Sequence, residues 1–155
     1  MNSKRRVFLK GTLAAGAVGV AVGAGLLAPR TVLAAWPEAA FQAQSLSDAL
    51  SAAMGSDSLS DGDVSIQAPD IAENGAVVPI SIESGISGAT SVALLVTNAN
   101  FPLTSSYELG EGAKPVVSTR IKMGETSDVV AVVKANGRLY SASKEVKVTI
   151  GGCGG

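Results

Sequence analysis

The sequence predicts a mainly β protein: an immunoglobulin-like antiparallel β-sandwich preceded by one N-terminal helix and followed by a flexible C-terminal glycine arm. Three observations carry this. Short β-branched runs alternate with turn residues from Val64 onward. Asn136-Gly137 separates the last two runs, a strong type I′ hairpin signal because both central positions need positive φ. A single segment of helical periodicity stands ahead of the runs.

The elements follow in order. Pro37-Glu38, then Ala39, Ala40, Phe41, Leu46, Ala49, Leu50, Ala53 and Met54, read as one helix with Pro and an acid in its first turn and Gly55 as its stop. Phe41, Leu46, Ala49, Leu50 and Ala53 fall on one face, which must pack on something. The loop Gly55-Ser56-Asp57-Ser58-Leu59-Ser60-Asp61-Gly62-Asp63 superficially resembles a calcium loop, but it lacks the full ligand series and the terminal bidentate Glu, and reads as a solvated turn. Candidate strands are Val64–Gln67, Ala76–Glu83, Ser91–Thr97, Ser106–Leu109, Val116–Lys122, Val129–Lys134 and Arg138–Ile150. In the last, Val146, Val148 and Ile150 share one face, with Lys147 and Thr149 opposite.

Residues 1–34 have the pattern of an export signal: a basic start, an apolar run from Gly11 to Ala28, and the small-residue stretch Val32-Leu33-Ala34-Ala35. The adjacent Arg5-Arg6 before Val7-Phe8-Leu9-Lys10 fits the twin-arginine variant. The alternative, a membrane anchor, is weakened by the Gly and Ala content of a run that barely reaches the ~18–20 apolar residues of a span. The expectation is cleavage after Ala34 or Ala35, a periplasmic location and no membrane association thereafter. Residues 35–150 then form one compact domain of helix plus β-sandwich, and residues 151–155 the arm.

All 13 acids lie after Ala35, against seven of the 12 basic residues, a net charge of −6 for that part of the chain. Such a balance argues against nucleic-acid binding, which depends on neutralising phosphates with Lys and Arg. The ten acids before Lys114 have no basic residue in their half, which reads as two halves whose fields partly cancel on folding, with an acidic face that docks a partner as the alternative. Arg120, Lys122 and Glu125 sit at a strand end and read as a solvated face, with guidance of partners or substrate as the alternative. The loop Asn98-Ala99-Asn100-Phe101-Pro102-Leu103 offers apolar residues either to a partner or to the core.

The chain contains no histidine. That removes the ordinary neutral-pH general base, the usual zinc and haem ligands, and any Ser-His or Cys-His nucleophile pair. One cysteine excludes a C-x-x-C redox motif, and no phosphate-binding Gly motif precedes a helix. A self-contained enzyme is not expected, nor a cofactor or a metal. What remains is Gly151-Gly152-Cys153-Gly154-Gly155. These glycines offer no apolar packing for a buried cysteine, and an unpaired thiol in an exported protein is either reactive or joined to another molecule. At ~3.5 Å per extended residue Cys153 can stand about 10 Å beyond Ile150, and with no flanking side chain the tail can thread a narrow channel. The neighbouring C-terminal carboxylate is expected to disfavour the thiolate.

Three function classes fit these residues: a covalent carrier loaded at Cys153; a ubiquitin-like carrier using the terminal Gly154-Gly155, which needs cytosolic ATP and conflicts with the leader; and a structural module dimerising through a Cys153 disulfide.

The terminal Gly151–Gly155 preceded by Lys144-Glu145-Val146-Lys147-Val148-Thr149-Ile150 resembles the SoxY family, the sulfur-carrier subunit of the thiosulfate-oxidising Sox system. So do Arg120-Ile121-Lys122-Met123-Gly124-Glu125-Thr126-Ser127-Asp128-Val129 and Ala68-Pro69-Asp70-Ile71-Ala72-Glu73-Asn74-Gly75 to Pro79. The resemblance implies that Cys153 is the carrier cysteine, with Gly151, Gly152, Gly154 and Gly155 as its swinging arm. It implies conjugation of thiosulfate by a haem-containing enzyme, release of sulfate by a hydrolase, and a sulfur dehydrogenase as a further candidate partner. It also implies a heterodimer with a SoxZ-like subunit that lacks its own signal, co-exported in the folded state. The one departure is Lys4, where the twin-arginine consensus often has Ser or Thr.

Overall fold

The structure, a computed structural model, describes residues 37–149. The leader with Arg5 and Arg6, and the tail with Gly151, Gly152, Cys153, Gly154 and Gly155, lie outside the described residues.

The predicted helix is two. Helix α1 spans Glu38–Gln42 and α2 Leu46–Met54. The break falls where Ala43 turns extended and Ser45 begins a new helix: its hydroxyl oxygen accepts from the Asp48 N–H at 3.1 Å, satisfying one of the orphan donors of the first turn. Periodicity did not reveal this, because Phe41 and the α2 residues point to the same core from either side of the break. Gly55 ends α2 as expected, in the left-handed region at φ 78°, its N–H donating to the Ser51 carbonyl. Beside it, the Lys134 ammonium donates to the Met54 carbonyl at 2.7 Å, a cation placed at the negative end of the helix.

Nine strands follow among the described residues: β1 Leu59–Asp61, β2 Val64–Gln67, β3 Ile71–Ala72, β4 Val78–Ser84, β5 Ala89–Val96, β6 Leu103–Glu108, β7 Val116–Ile121, β8 Ser127–Ala135 and β9 Arg138–Val148. They form the expected mainly β sandwich. One sheet has the order β1-β9-β8-β5-β6, with β3 also on β9; the other is β2-β4-β7. Two strands go beyond the sequence expectation: β1 falls in the stretch expected as a solvated turn, and β3 in a stretch with no expected element. Both are very short, and both add to β9 in parallel, where no hairpin turn announces the pairing. The Asn136-Gly137 hairpin is present, with φ 52° and 75°, and it fixes the β8·β9 register from Ala135↔Arg138 to Ser127↔Val146.

The large sheet is buried on both faces. Val92, Leu94, Val96, Val129, Ala131, Val133 and Val146 face the small sheet, where they meet Val78, Ile80 and Ile82 of β4 and Val117 and Ile121 of β7. On the other face Ala93, Leu95, Leu103, Val130, Val132 and Leu139 meet Ala40, Ala49, Leu50 and Met54 of the helices. Hence β5 and β8 carry unbroken apolar runs, Val92–Val96 and Val129–Val133, whereas β4 alternates as Val-Pro-Ile-Ser-Ile-Glu-Ser. Pro79 fits β4 because it lies outside the Ser81–Ser84 span that pairs with β2.

Leu50 is fully buried at the centre of the helix layer. Leu50→Ala is expected to lower stability by about 2–5 kcal/mol, the transfer term plus the cavity it leaves. A urea titration followed by far-UV circular dichroism measures this; a loss below 1 kcal/mol would mean that the helices are not docked as described.

Candidate functional site

Cys153 lies four residues beyond Thr149, the last described residue, so covalent geometry keeps its Cα within about 14 Å of that point. The structure therefore bears on the site through the base from which the arm departs.

That base is held from two sides. On one, the Lys147 N–H donates to the Asp70 carbonyl at 3.0 Å and the Thr149 N–H to the Ala72 carbonyl at 3.1 Å, the ladder of β3 on β9. The Thr149 hydroxyl adds a bond to the Glu73 carbonyl at 3.2 Å. On the other, the Val148 N–H donates to the Thr126 hydroxyl at 3.0 Å. Below, Val146 is fully buried and anchors β9 in the core between the sheets. The Lys144 ammonium ties the 68–72 segment to β9, donating to the Ala68 carbonyl at 2.7 Å and standing 3.0 Å from Asp70 Oδ1. Asp70 is 91% exposed, so that ion pair is screened and contributes little; the carbonyl bond and the strand ladder form the tether.

Three loops meet at this end. The 68–77 segment is joined to the β7–β8 loop by the Met123 N–H, which donates to the Gly75 carbonyl at 2.7 Å. The β7–β8 loop is joined to the β5–β6 loop by Asn98, whose side-chain amide donates to the Thr126 carbonyl at 3.2 Å and whose backbone N–H donates to Ser127 Oγ at 3.0 Å. Thr126 thus stands between the arm base and the β5–β6 loop. Two of these loops belong to stretches that the sequence singled out by resemblance, 120–129 and 68–79; their shared task of gripping β9 was not visible there, since it depends on long-range pairing.

Beside the grip opens a groove of about 550 Å³, lined among others by Val96, Asn98, Asn100, Lys122, Gly124 and Glu125. Of the charged residues singled out from sequence, Lys122 and Glu125 line this groove, while Arg120 is exposed on β7. The Asn98–Leu103 loop divides between its two expected roles: Leu103 is buried under the helices and Phe101 is 52% exposed. Among the described residues no group of three or more His, Cys, Asp or Glu side chains is placed to hold a metal ion. The described end of the molecule offers binding and positioning groups, and the single thiol belongs to the tail.

Thr126 is the one side chain that accepts from the Val148 N–H. Thr126→Val is expected to speed hydrogen exchange of that amide about fivefold, the equivalent of about 1 kcal/mol for one hydrogen bond, with the Ala131 amide as an unaffected reference. Equal exchange in the variant and the parent protein would show that β3 alone holds the arm base.

Residues 50–153 match the model of the family "SoxY: Sulfur oxidation protein SoxY". Among solved structures, the sulfur carrier protein SoxY from Chlorobium limicola f thiosulfatophilum is 41% identical, covering 66% of this chain and 94% of its own, at a TM-score of 0.61. More distant are a CARDB domain from Pyrococcus furiosus, 17% identical over 57% of this chain and 88% of its own at a TM-score of 0.40. The human F-spondin reeler domain is 9% identical over 59% and 94% at 0.41. No curated protein matches the chain. With a family model covering about two thirds of its length, through to Cys153, and a solved relative of that name at 41% identity, the chain belongs to the SoxY family of sulfur oxidation proteins.

Proposed function

We propose that this protein is a periplasmic covalent carrier of sulfur intermediates in thiosulfate oxidation, loaded on Cys153 and acted on by partner enzymes rather than catalysing a reaction itself. The observation that carries the reading is the extent of the family match, which ends on Cys153, the only thiol in the chain. The hydrogen-bonded grip on β9 supports it: a carrier needs a firm point of departure just behind a reactive group on a slim tail. The twin-arginine pattern at Arg5-Arg6 supports export in the folded state, together with a SoxZ-like subunit that has no signal of its own.

Two steps describe the cycle, and both balance. In the first, the Cys153 thiol and the sulfane sulfur of thiosulfate form an S–S bond, giving a cysteine S-thiosulfonate, with loss of one proton and two electrons; the haem-containing conjugating enzyme accepts the electrons. In the second, water supplied at a hydrolase cleaves the sulfur–sulfur bond to the sulfone group. Sulfate and a proton leave, and a persulfide stays on Cys153. A sulfur dehydrogenase is the candidate consumer of that persulfide. This chain contributes the thiol, its reach and its presentation; Gly151, Gly152, Gly154 and Gly155 leave the sulfur without flanking side chains, so that one tail fits several narrow channels.

A second reading, a structural module joined through a Cys153–Cys153 disulfide, is separated by experiment. Intact mass of the protein from thiosulfate-grown cells is expected to show a reductant-labile adduct of thiosulfonate or sulfane mass, absent in Cys153→Ser. An unmodified or merely dimeric mass under all growth conditions would favour the structural module. Deleting Gly154-Gly155 while keeping Cys153 sharpens the distinction: the carrier loses enzymatic loading but keeps its thiol reactivity, and the disulfide module is unaffected.

A further inference from the structure

Four large apolar side chains are markedly exposed among the described residues: Ile71 at 57%, Val77 at 56%, Phe101 at 52% and Val116 at 51%. Three of them stand at one end of the sandwich. Ile71 belongs to β3, directly against the last turn of the β9 ladder through the Ile71↔Lys147 pair. Val77 precedes β4, whose first residue pairs with Ile121, the last residue of β7, and its N–H donates to the Asn74 carbonyl. Phe101 lies in the β5–β6 loop, which Asn98 fastens to Thr126 and so to the arm base. Val116, at the opposite end of β7, is the exception. Exposed apolar residues scattered singly need no explanation; three gathered around one exit do.

We infer that Ile71, Val77 and Phe101 form an apolar collar on which the mouth of a partner enzyme's active-site channel seats while the tail is inside. The inference rests on the carrier reading above. Its occupant follows from the length of the tail. Cys153 cannot be farther than about 14 Å from Thr149, so a sulfur delivered to the floor of a channel of that depth draws the rim of the channel down onto the residues around Thr149. A rim that meets this collar must itself be apolar to gain from the contact, and it need not carry one sign of charge. The charges at the same end are mixed: exposed Asp70, Glu73 and Glu125 stand against exposed Lys122 and Lys147 and the half-buried Lys144 that pairs with Asp70. Seating is therefore driven by burial of apolar surface rather than by electrostatic steering, and is weakly sensitive to salt. A collar common to all partners also suits a tail that visits several enzymes, since the same three side chains serve each.

The test uses the carrier purified with its partner subunit, thiosulfate, and the haem-containing conjugating enzyme, with electron transfer to a cytochrome as the readout. Ile71→Asp, Val77→Asp and Phe101→Asp are each expected to raise the KM for the carrier about fivefold to thirtyfold, the span of a 1–2 kcal/mol interface contact, with kcat little changed. Val116→Asp should match the parent protein. Iodoacetamide alkylation of Cys153 should be equally fast in all, and the parent KM should change less than threefold between about 50 and 200 mM salt, a range over which charge-driven docking weakens strongly. Melting curves identify any variant that is unfolded, and Ile71→Ser, Val77→Ser and Phe101→Ser then replace it. Collar variants with the parent KM would overturn the inference, as would an equal effect of Val116→Asp, or loss of the partner subunit from the collar variants. If the parent protein accepts no thiosulfate, the carrier reading fails and the collar with it; a parent that loads while collar variants load equally well sinks only the collar.

Discussion

The constraint on which the rest depends is the continuous pairing of β9. This strand, Arg138–Val148, runs along β8 from the Asn136-Gly137 turn to Ser127↔Val146, accepts β1 beside its first residues and β3 beside its last, and ends at the point where the tail begins. A one-residue slip would turn Val146 and Leu139 out of their cores and rotate every later side chain to the other face. The hairpin at Asn136-Gly137 prevents that slip by geometry, because the type I′ turn admits only one register. The position of the arm base is thus determined by a turn at the opposite end of the molecule.

The sandwich itself was legible in the sequence, and for physical reasons. Period-2 alternation in Val78-Pro79-Ile80-Ser81-Ile82-Glu83 marks a half-buried strand, and Asn136-Gly137 is a turn with few alternatives. The third layer was legible too, in the unbroken apolar runs of β5 and β8, but only to a reader who asked what covers the second face; the amphipathic helical segment was the answer. Less legible were the features that depend on partners far along the chain. Ala43-Gln44-Ser45 does not look like a break until Ser45 is seen capping Asp48, and Ile71-Ala72 is too short to read as a strand before β9 is beside it.

The candidate site divides along the same line. Cys153 could be singled out by composition, as the only thiol in a histidine-free chain, set among glycines. The grip behind it could not. Asp70, Ala72 and Glu73 act through backbone carbonyls, which any residue could supply, and Thr126 through a hydroxyl that marks no site by itself; what matters is their placement around Lys147, Val148 and Thr149. Such backbone-mediated positioning leaves almost no residue-type signature.

On the carrier reading, the contrast between a gripped base and a glycine tail has a quantitative consequence. Ordering a glycine segment inside a channel is entropically costly, and lengthening the tail would increase that cost. Keeping it short limits the cost and concentrates the thiol. Once the body of the carrier is seated, Cys153 lies somewhere within a hemisphere of about 14 Å radius, a local concentration on the order of tenths of a molar. A base that frayed by a few residues would enlarge that volume severalfold, since it grows with the cube of the reach. The hydrogen bonds from Val148 and Thr149 to Thr126, Ala72 and Glu73 therefore serve the chemistry without approaching it: they set the length of the tether, and through it the frequency with which one sulfur atom finds the floor of a channel.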